Sequence, residues 1–172
     1  MKNEMNEATA CRKRKCVRIS VTREDLRDEL LKRTTYIALP ARADREDDDD
    51  RYERLLLTAD EDPWVTDRLQ EAGDRVADVV SAYLLNEDCS FDECGHYCLT
   101  LLLPLDTDQG IEHRVMRLVR EIMVLYVLMC WFCERLPEKF HYLSLQYNEA
   151  IELLRTRINR RTTPVLRPIR TY

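Results

Sequence analysis

The segment Ile111–Arg135 limits what this chain can fold into more than any other stretch. Its first half is amphipathic: Ile111, Val115, Leu118, Val119 and Ile122 recur at helical spacing, with Arg114, Arg117, Arg120 and Glu121 on the other side. The run that follows, Ile122-Met-Val-Leu-Tyr-Val-Leu-Met-Cys-Trp-Phe-Cys133, is apolar on every face. A helix of this kind must be covered all round. Twelve apolar residues are too few to cross a bilayer, which takes about 20. The segment therefore reads as a central core helix or part of an oligomer interface, with no membrane contact. Trp131 and Phe132, at its bulky end, are assigned to the interface.

Around this helix the periodicities predict a mainly α fold: a bundle of about four helices, a short strand pair or hairpin, and an extended C-terminal tail. Residues 1–16 form a basic flexible segment, 17–161 a single helical domain, and 162–172 a docking tail. Val17–Val21 alternates weakly, as a short strand would. Helix one starts at Thr22, where Thr22-Arg-Glu-Asp25 resembles a capping box, and ends near Arg33. Residues 34–57 read as a surface loop with a short helical turn. Helix two opens at Asp62-Pro63 and carries Val65, Leu69, Ala72, Val76, Val79, Val80 and Tyr83 on one stripe, reaching about Leu85. Gly73 within it costs about 1 kcal/mol relative to alanine unless a neighbour packs close there. His96–Leu103 alternates and stops at Pro104, a strand. The last helix begins around Glu138 with a stripe of Phe140, Leu143, Tyr147, Ile151, Leu154 and Ile158, and ends at Arg160-Arg161. Beyond it Pro164 and Pro168 forbid a helix. The apolar-and-arginine sequence Pro164-Val165-Leu166-Arg167-Pro168-Ile169-Arg170 suits docking on a neighbouring subunit or folding back along its own domain.

Charge is segregated behind a formal net of −5. Arg12, Lys13, Arg14, Lys15 and Arg18 cluster without an acid near the start; residues 44–62 hold ten acids against three arginines; residues 151–172 hold six arginines against Glu152. Such poles suit docking on copies of the same chain or on a polyanion, and equally suit plain solvated surface. The basic cluster is the candidate contact for nucleic acid or an acidic partner, of a kind that neutralises phosphate without reading bases. No helix-turn-helix, zinc finger or aromatic stacking platform accompanies it, which disfavours sequence-specific regulation.

Catalytic and metal chemistry find little footing. With only three glycines in the chain, no glycine-built phosphate loop exists. The four consecutive aspartates 47–50 lack the glycine turn and bidentate glutamate of a calcium loop. Cys89, Cys94, His96 and Cys98 are the one set whose chemistry suits zinc, but their spacing matches no familiar knuckle, so the expectation is packed thiols and no cofactor. Cys130-Trp-Phe-Cys133 has redox spacing yet sits late in an apolar helix, away from the N-terminus that would stabilise a thiolate. No export-type apolar stretch follows the basic residues, so the seven cysteines are expected reduced. His96, His113 and His141 are scattered, and Glu149 and Glu152 lack the histidine partners of a di-metal bundle. No enzyme is expected.

In their order along the chain several short segments carry a resemblance: Thr34-Thr-Tyr-Ile37, Tyr52-Glu-Arg-Leu55, Thr58-Ala-Asp-Glu-Asp62, Glu71-Ala72, Leu101-Leu-Leu-Pro104, the helix reaching Trp131, Tyr147-Asn-Glu-Ala150 and Arg161-Thr-Thr-Pro-Val-Leu-Arg-Pro168. From about Val17 to Tyr172 the chain resembles a type of structural protein encoded in phages and prophages of gut bacteria, similar to head-completion and neck (head–tail connector) proteins. The resemblance implies a non-enzymatic assembly function in a virion put together in the bacterial cytoplasm. It also implies a homo-oligomeric ring, portal or tail subunits as partners, and basic segments facing DNA or an acidic neighbour. The competing reading is a small intracellular nucleic-acid-binding or regulatory module, zinc-stabilised near Cys89–Cys98.

Overall fold

A computed structural model describes residues 14–43, 49–85, 89–107 and 109–160. Strand β1 (Arg14–Thr22) leads directly into helix α1 (Arg23–Ala43), which is followed by the short α2 (Asp49–Leu55) and by α3 (Asp62–Val80). Strand β2 (His96–Pro104), α4 (Ile111–Arg135) and α5 (Pro137–Asn159) complete the order. Among the described residues the architecture is mainly α, with four long helices and one two-stranded antiparallel sheet.

The sheet follows from two alternating sequences. Val17, Ile19 and Val21 pair with Leu101, Leu99 and Tyr97, and all six side chains are buried on one face. Their neighbours point outward, as the period of two requires. The strands are distant in sequence, so they form a pair and not a hairpin. β1 starts at Arg14, which takes Arg14, Lys15 and Cys16 out of the flexible segment expected to end at residue 16 and into the sheet.

The central helix has the bounds its sequence pattern predicts, Ile111–Arg135. Gly110, at φ 76°, supplies the left-handed turn that starts it. Ile122 to Leu128 are buried without interruption, because α1, α2, α3, α5 and β1 all pack on α4. Leu136 alone separates α4 from α5, and Pro137 takes the first position of α5. This single-residue link folds α5 back along α4, where Leu143, Ala150, Ile151, Leu154 and Ile158 are buried.

Helix one departs from expectation. It does not stop near Arg33 but runs to Ala43, through the stretch read as loop. The β-branched Thr34 and Thr35 lower helix propensity, yet their hydroxyls donate back to Leu30 and Leu31 carbonyls at 2.8–3.1 Å. Ala38 is fully buried, and Arg33 grips Glu121 of α4 with both guanidinium arms at 2.8 and 2.7 Å. Tertiary contacts thus override local preference. The second helix ends at Val80, short of Leu85, in a 3-10 turn over Ser81–Tyr83. Its approach is set by a capping box one turn earlier than Asp62: the Glu61 carboxylate accepts from the Thr58 backbone N–H at 2.8 Å and from the Thr58 hydroxyl.

Gly73 has the close neighbour that its place in a helix calls for. The Tyr97 ring lies over it, and the Tyr97 hydroxyl donates to the Gly73 carbonyl at 2.6 Å. A Cβ there would come within 2.6 Å of the ring.

Candidate functional site

Among the described residues, those singled out from sequence do not converge on one site. Arg12, Lys13 and the tail residues Pro164, Val165, Leu166, Arg167, Pro168, Ile169 and Arg170 lie outside the described residues. Arg14, Lys15 and Arg18 are exposed on β1, with Arg18 at 4.0 Å from the Cys98 sulfur.

Trp131 and Phe132 require a correction. Expected at a subunit interface, they are 2% and 0% exposed inside this chain's own core. The Trp131 indole N–H donates to the Leu55 carbonyl at 3.0 Å, the ring meets Trp64 edge-on at 5.3 Å, and the Arg135 guanidinium lies 3.6 Å above it. The apolar surface that sequence assigned to a partner is covered by α2 and α3.

The four zinc candidates are dispersed by the fold. Cys89 is buried, whereas Cys94 is exposed on a turn and His96 and Cys98 stand on the outward face of β2. His96 lies near the Asp92 carboxylate, and the Cys98 thiol sits 3.5 Å from the Ser20 hydroxyl. Among the described residues no three His, Cys, Asp or Glu side chains gather as a metal site would need. Among the described residues no two cysteines are joined in a disulfide. Cys130 is half-buried, and burial pushes its thiol pKa up, the reverse of what a reactive thiolate requires.

Beside Cys130 lies a polar cluster on α3 and α4. The Tyr126 hydroxyl hydrogen-bonds the Glu71 carboxylate and holds it below the usual carboxylate range, while burial raises Tyr126 itself. Arg68 and Arg75 pair with the same carboxylate at 2.6 and 3.4 Å, and Arg75 stacks on the Tyr126 ring at 4.8 Å. These contacts tie α3 to α4, while the buried Arg68 Nε is left without a hydrogen-bond partner.

The surface that sequence reading missed is the outward side of α5. At 100° per residue, Tyr142, Leu145 and Leu153 fall within one narrow sector, nearly opposite the buried stripe. They are 57%, 53% and 43% exposed. At one end of this face, an apolar groove of about 180 Å³ between α5 and α1 is lined by Tyr36, Ile37, Leu128, Tyr142 and Leu143, with Arg33 and Lys139 at its rim. Tyr36, 73% exposed, stands over it. The exposed Glu149 falls in the same sector between Leu145 and Leu153. The second periodicity was legible: residues 142, 145 and 153 form a stripe once the helix is drawn as a wheel.

The described residues form a small helical protein on a two-stranded sheet, with Tyr142, Leu145 and Leu153 exposed on the outward face of α5. No family model, curated protein or solved structure matches the chain. No described helix is long and apolar enough to cross a membrane.

Proposed function

We propose that this protein is a non-enzymatic phage virion assembly subunit, of the neck or head–tail connector type, which forms a ring. The single observation that supports this reading is the second apolar face of α5, Tyr142, Leu145 and Leu153, continued by Tyr36 across the groove. Large apolar side chains aligned on an outward helix face mark a protein contact. The occupant proposed is the tail of the next copy. Its Val165, Leu166 and Ile169 match the face in character, and Arg167 and Arg170 match Glu149 in charge. Twelve residues follow Arg160 and can span up to about 40 Å when extended, enough to leave the parent domain. Since Trp131 and Phe132 are core residues, assembly rests on α5 and the tail, not on the central helix. Portal or tail subunits would be the further virion partners.

The deciding experiment is the absolute mass and shape of the purified full-length protein, by light scattering and electron microscopy, with and without Pro164–Tyr172. Closed rings that fall to monomers on truncation, and equally on Leu145→Asp, support the proposal. A full-length chain that stays monomeric at all concentrations argues against a self-assembled ring.

The second reading, a nucleic-acid-binding module, draws on the exposed Arg14, Lys15 and Arg18 of β1. Salt-sensitive DNA binding by a monomer, abolished by neutralising these three, would favour it.

A further inference from the structure

The sheet has two strands, so each has an outer edge, and the backbone bonds beyond β2 reveal which groups line the edge of β1. The Leu85 N–H donates to the Thr100 carbonyl at 2.8 Å, and the Asp92 N–H donates to the His96 carbonyl at 3.0 Å. The even-numbered residues of β2 therefore aim their backbone away from β1. In an antiparallel pair the residue opposite does likewise, because facing pairs alternate between bonded and non-bonded. Leu102 faces Cys16, Thr100 faces Arg18 and Cys98 faces Ser20. Cys16, Arg18 and Ser20 thus turn their N–H and C=O groups outward, while Val17 and Ile19 bond theirs to Leu101 and Leu99. Burial agrees: Cys16, Arg18 and Ser20 are exposed, whereas Val17 and Ile19 are each 1% exposed.

Leu84–Leu85 and Phe91–Asp92 close part of the β2 edge. Among the described residues no backbone group meets the β1 edge at Cys16, Arg18 or Ser20. A donor and an acceptor at every second residue is the pattern with which an added strand pairs. The side chains decide what kind of strand fits. Arg14, Lys15 and Arg18 are exposed, and no acid lies between Arg12 and Thr22. Opposite charges on adjacent strands attract and like charges repel. A second copy of β1 would set basic residues against basic residues. The chain's own tail is basic too, and its Pro164 and Pro168 have no N–H to give a ladder. The acidic run Asp47–Asp50 is all aspartate, which strands disfavour. An acidic strand from another protein meets both requirements.

We infer that the free edge of β1 at Cys16, Arg18 and Ser20 is a docking site for an extended acidic segment of another protein, which joins the sheet as a third strand. Its backbone bonds to the edge, and its carboxylates lie beside Arg14 and Arg18. Phosphates accept hydrogen bonds but do not donate them, so a nucleic-acid backbone would leave the edge carbonyls unmet. This assignment is independent of ring assembly.

The test uses the full-length protein and a fluorescein-labelled peptide of alternating glutamate and valine, matched in length to β1, with binding read by anisotropy. A fully N-methylated version of the peptide keeps its charge and loses its donors, and should bind about tenfold or more weakly. Cys16→Pro removes one outward N–H without touching a bond to β2, as edge strands tolerate, and should weaken binding about threefold or more. Arg14→Gln with Arg18→Gln should also weaken it about threefold or more. A charge-matched pair away from the sheet, Arg54→Gln with Arg155→Gln, should change it less than about twofold. Should Cys16→Pro fail to fold, the methylated peptide still decides, since it leaves the protein untouched. No binding of the peptide by the unmodified protein, or equal binding of its methylated form, would overturn the assignment. Binding of a labelled DNA duplex in place of the peptide, lost in the Arg14 and Arg18 variant, would overturn it in favour of a nucleic-acid contact.

Discussion

Replacing Gly73 with alanine puts two effects in opposition, and the structure says which one wins. In an open helix the change stabilises by about 1 kcal/mol, because glycine has more freedom to lose on folding. Here the new methyl would sit 2.6 Å from one ring carbon of Tyr97 and 3.1 and 3.2 Å from two others. The ring is fully buried, so it cannot swing into solvent. Overpacking of this kind costs about 1–3 kcal/mol. Displacing the ring also strains the 2.6 Å bond from its hydroxyl to the Gly73 carbonyl, and a buried hydroxyl left without a partner costs about 1–3 kcal/mol more. The net is a loss of about 1–5 kcal/mol, or several degrees in Tm for a chain of this size. Urea unfolding of Gly73→Ala, Tyr97→Leu and the double variant forms the decisive cycle. With the ring gone, alanine at 73 should become neutral or stabilising. A Gly73→Ala protein that is more stable than the parent in the native background would refute the reasoning.

Three other perturbations follow from the same packing. Trp131→Phe removes the indole N–H that the Leu55 carbonyl accepts and should cost about 1–3 kcal/mol in chemical unfolding; its mass by light scattering should be unchanged, because the ring lies within one chain. Arg33→Met and Glu121→Gln should each cost no more than about 1 kcal/mol, since both partners are about a third exposed and exposed pairs are weak; the double variant should cost little more than either single one in thermal melts. Acid and alkali should destabilise through different groups. Glu61 and Glu71 are held down by the hydroxyls of Thr58 and Tyr126, so the stability they add is complete above the ordinary value of 4.5 and is lost as pH falls through their lower folded values. Tyr97 is pushed up by burial, so its contribution is complete below its ordinary value of 10.0 and is lost as pH rises beyond it. Urea midpoints measured from pH 3 to 11 should therefore fall at both ends.

How much of this was legible in the sequence depends on whether neighbouring residues or distant ones decide each feature. The bounds of α4 were legible because a run apolar on every side, opened by Gly110 and closed before Pro137, leaves little choice. β2 was legible from strict alternation ending at Pro104. The far half of α1 was not, since Thr34-Thr-Tyr-Ile37 is a poor helix by itself and is held by Arg33 on Glu121 and by burial of Ala38. Trp131 and Phe132 illustrate a different limit. Periodicity says that an all-apolar helix needs covering, but not whether its own chain or a second one supplies the cover. The outward stripe of α5 was present in the spacing of Tyr142, Leu145 and Leu153, and the stronger stripe opposite drew the reading away. β2 carries His96 and Cys98 outward while Cys89 packs inward, a separation that sequence spacing alone does not reveal.

The strand pairing also dictates an order of events at the ribosome. Ser20 finds Cys98, its neighbour in the sheet, 78 positions later in the chain. Closing so long a loop costs about 4 kcal/mol in chain entropy, and at ordinary synthesis rates roughly 4–16 s pass between the emergence of the two strands. Through that interval β1 is a nascent strand with Val17, Ile19 and Val21 uncovered, a stretch prone to pairing with the wrong chain. Arg14, Lys15 and Arg18 flank and interrupt it, as gatekeeping charges do in aggregation-prone strands. Whatever they touch in the mature protein, charges so placed oppose mispairing of β1 until the chain has grown long enough to supply β2.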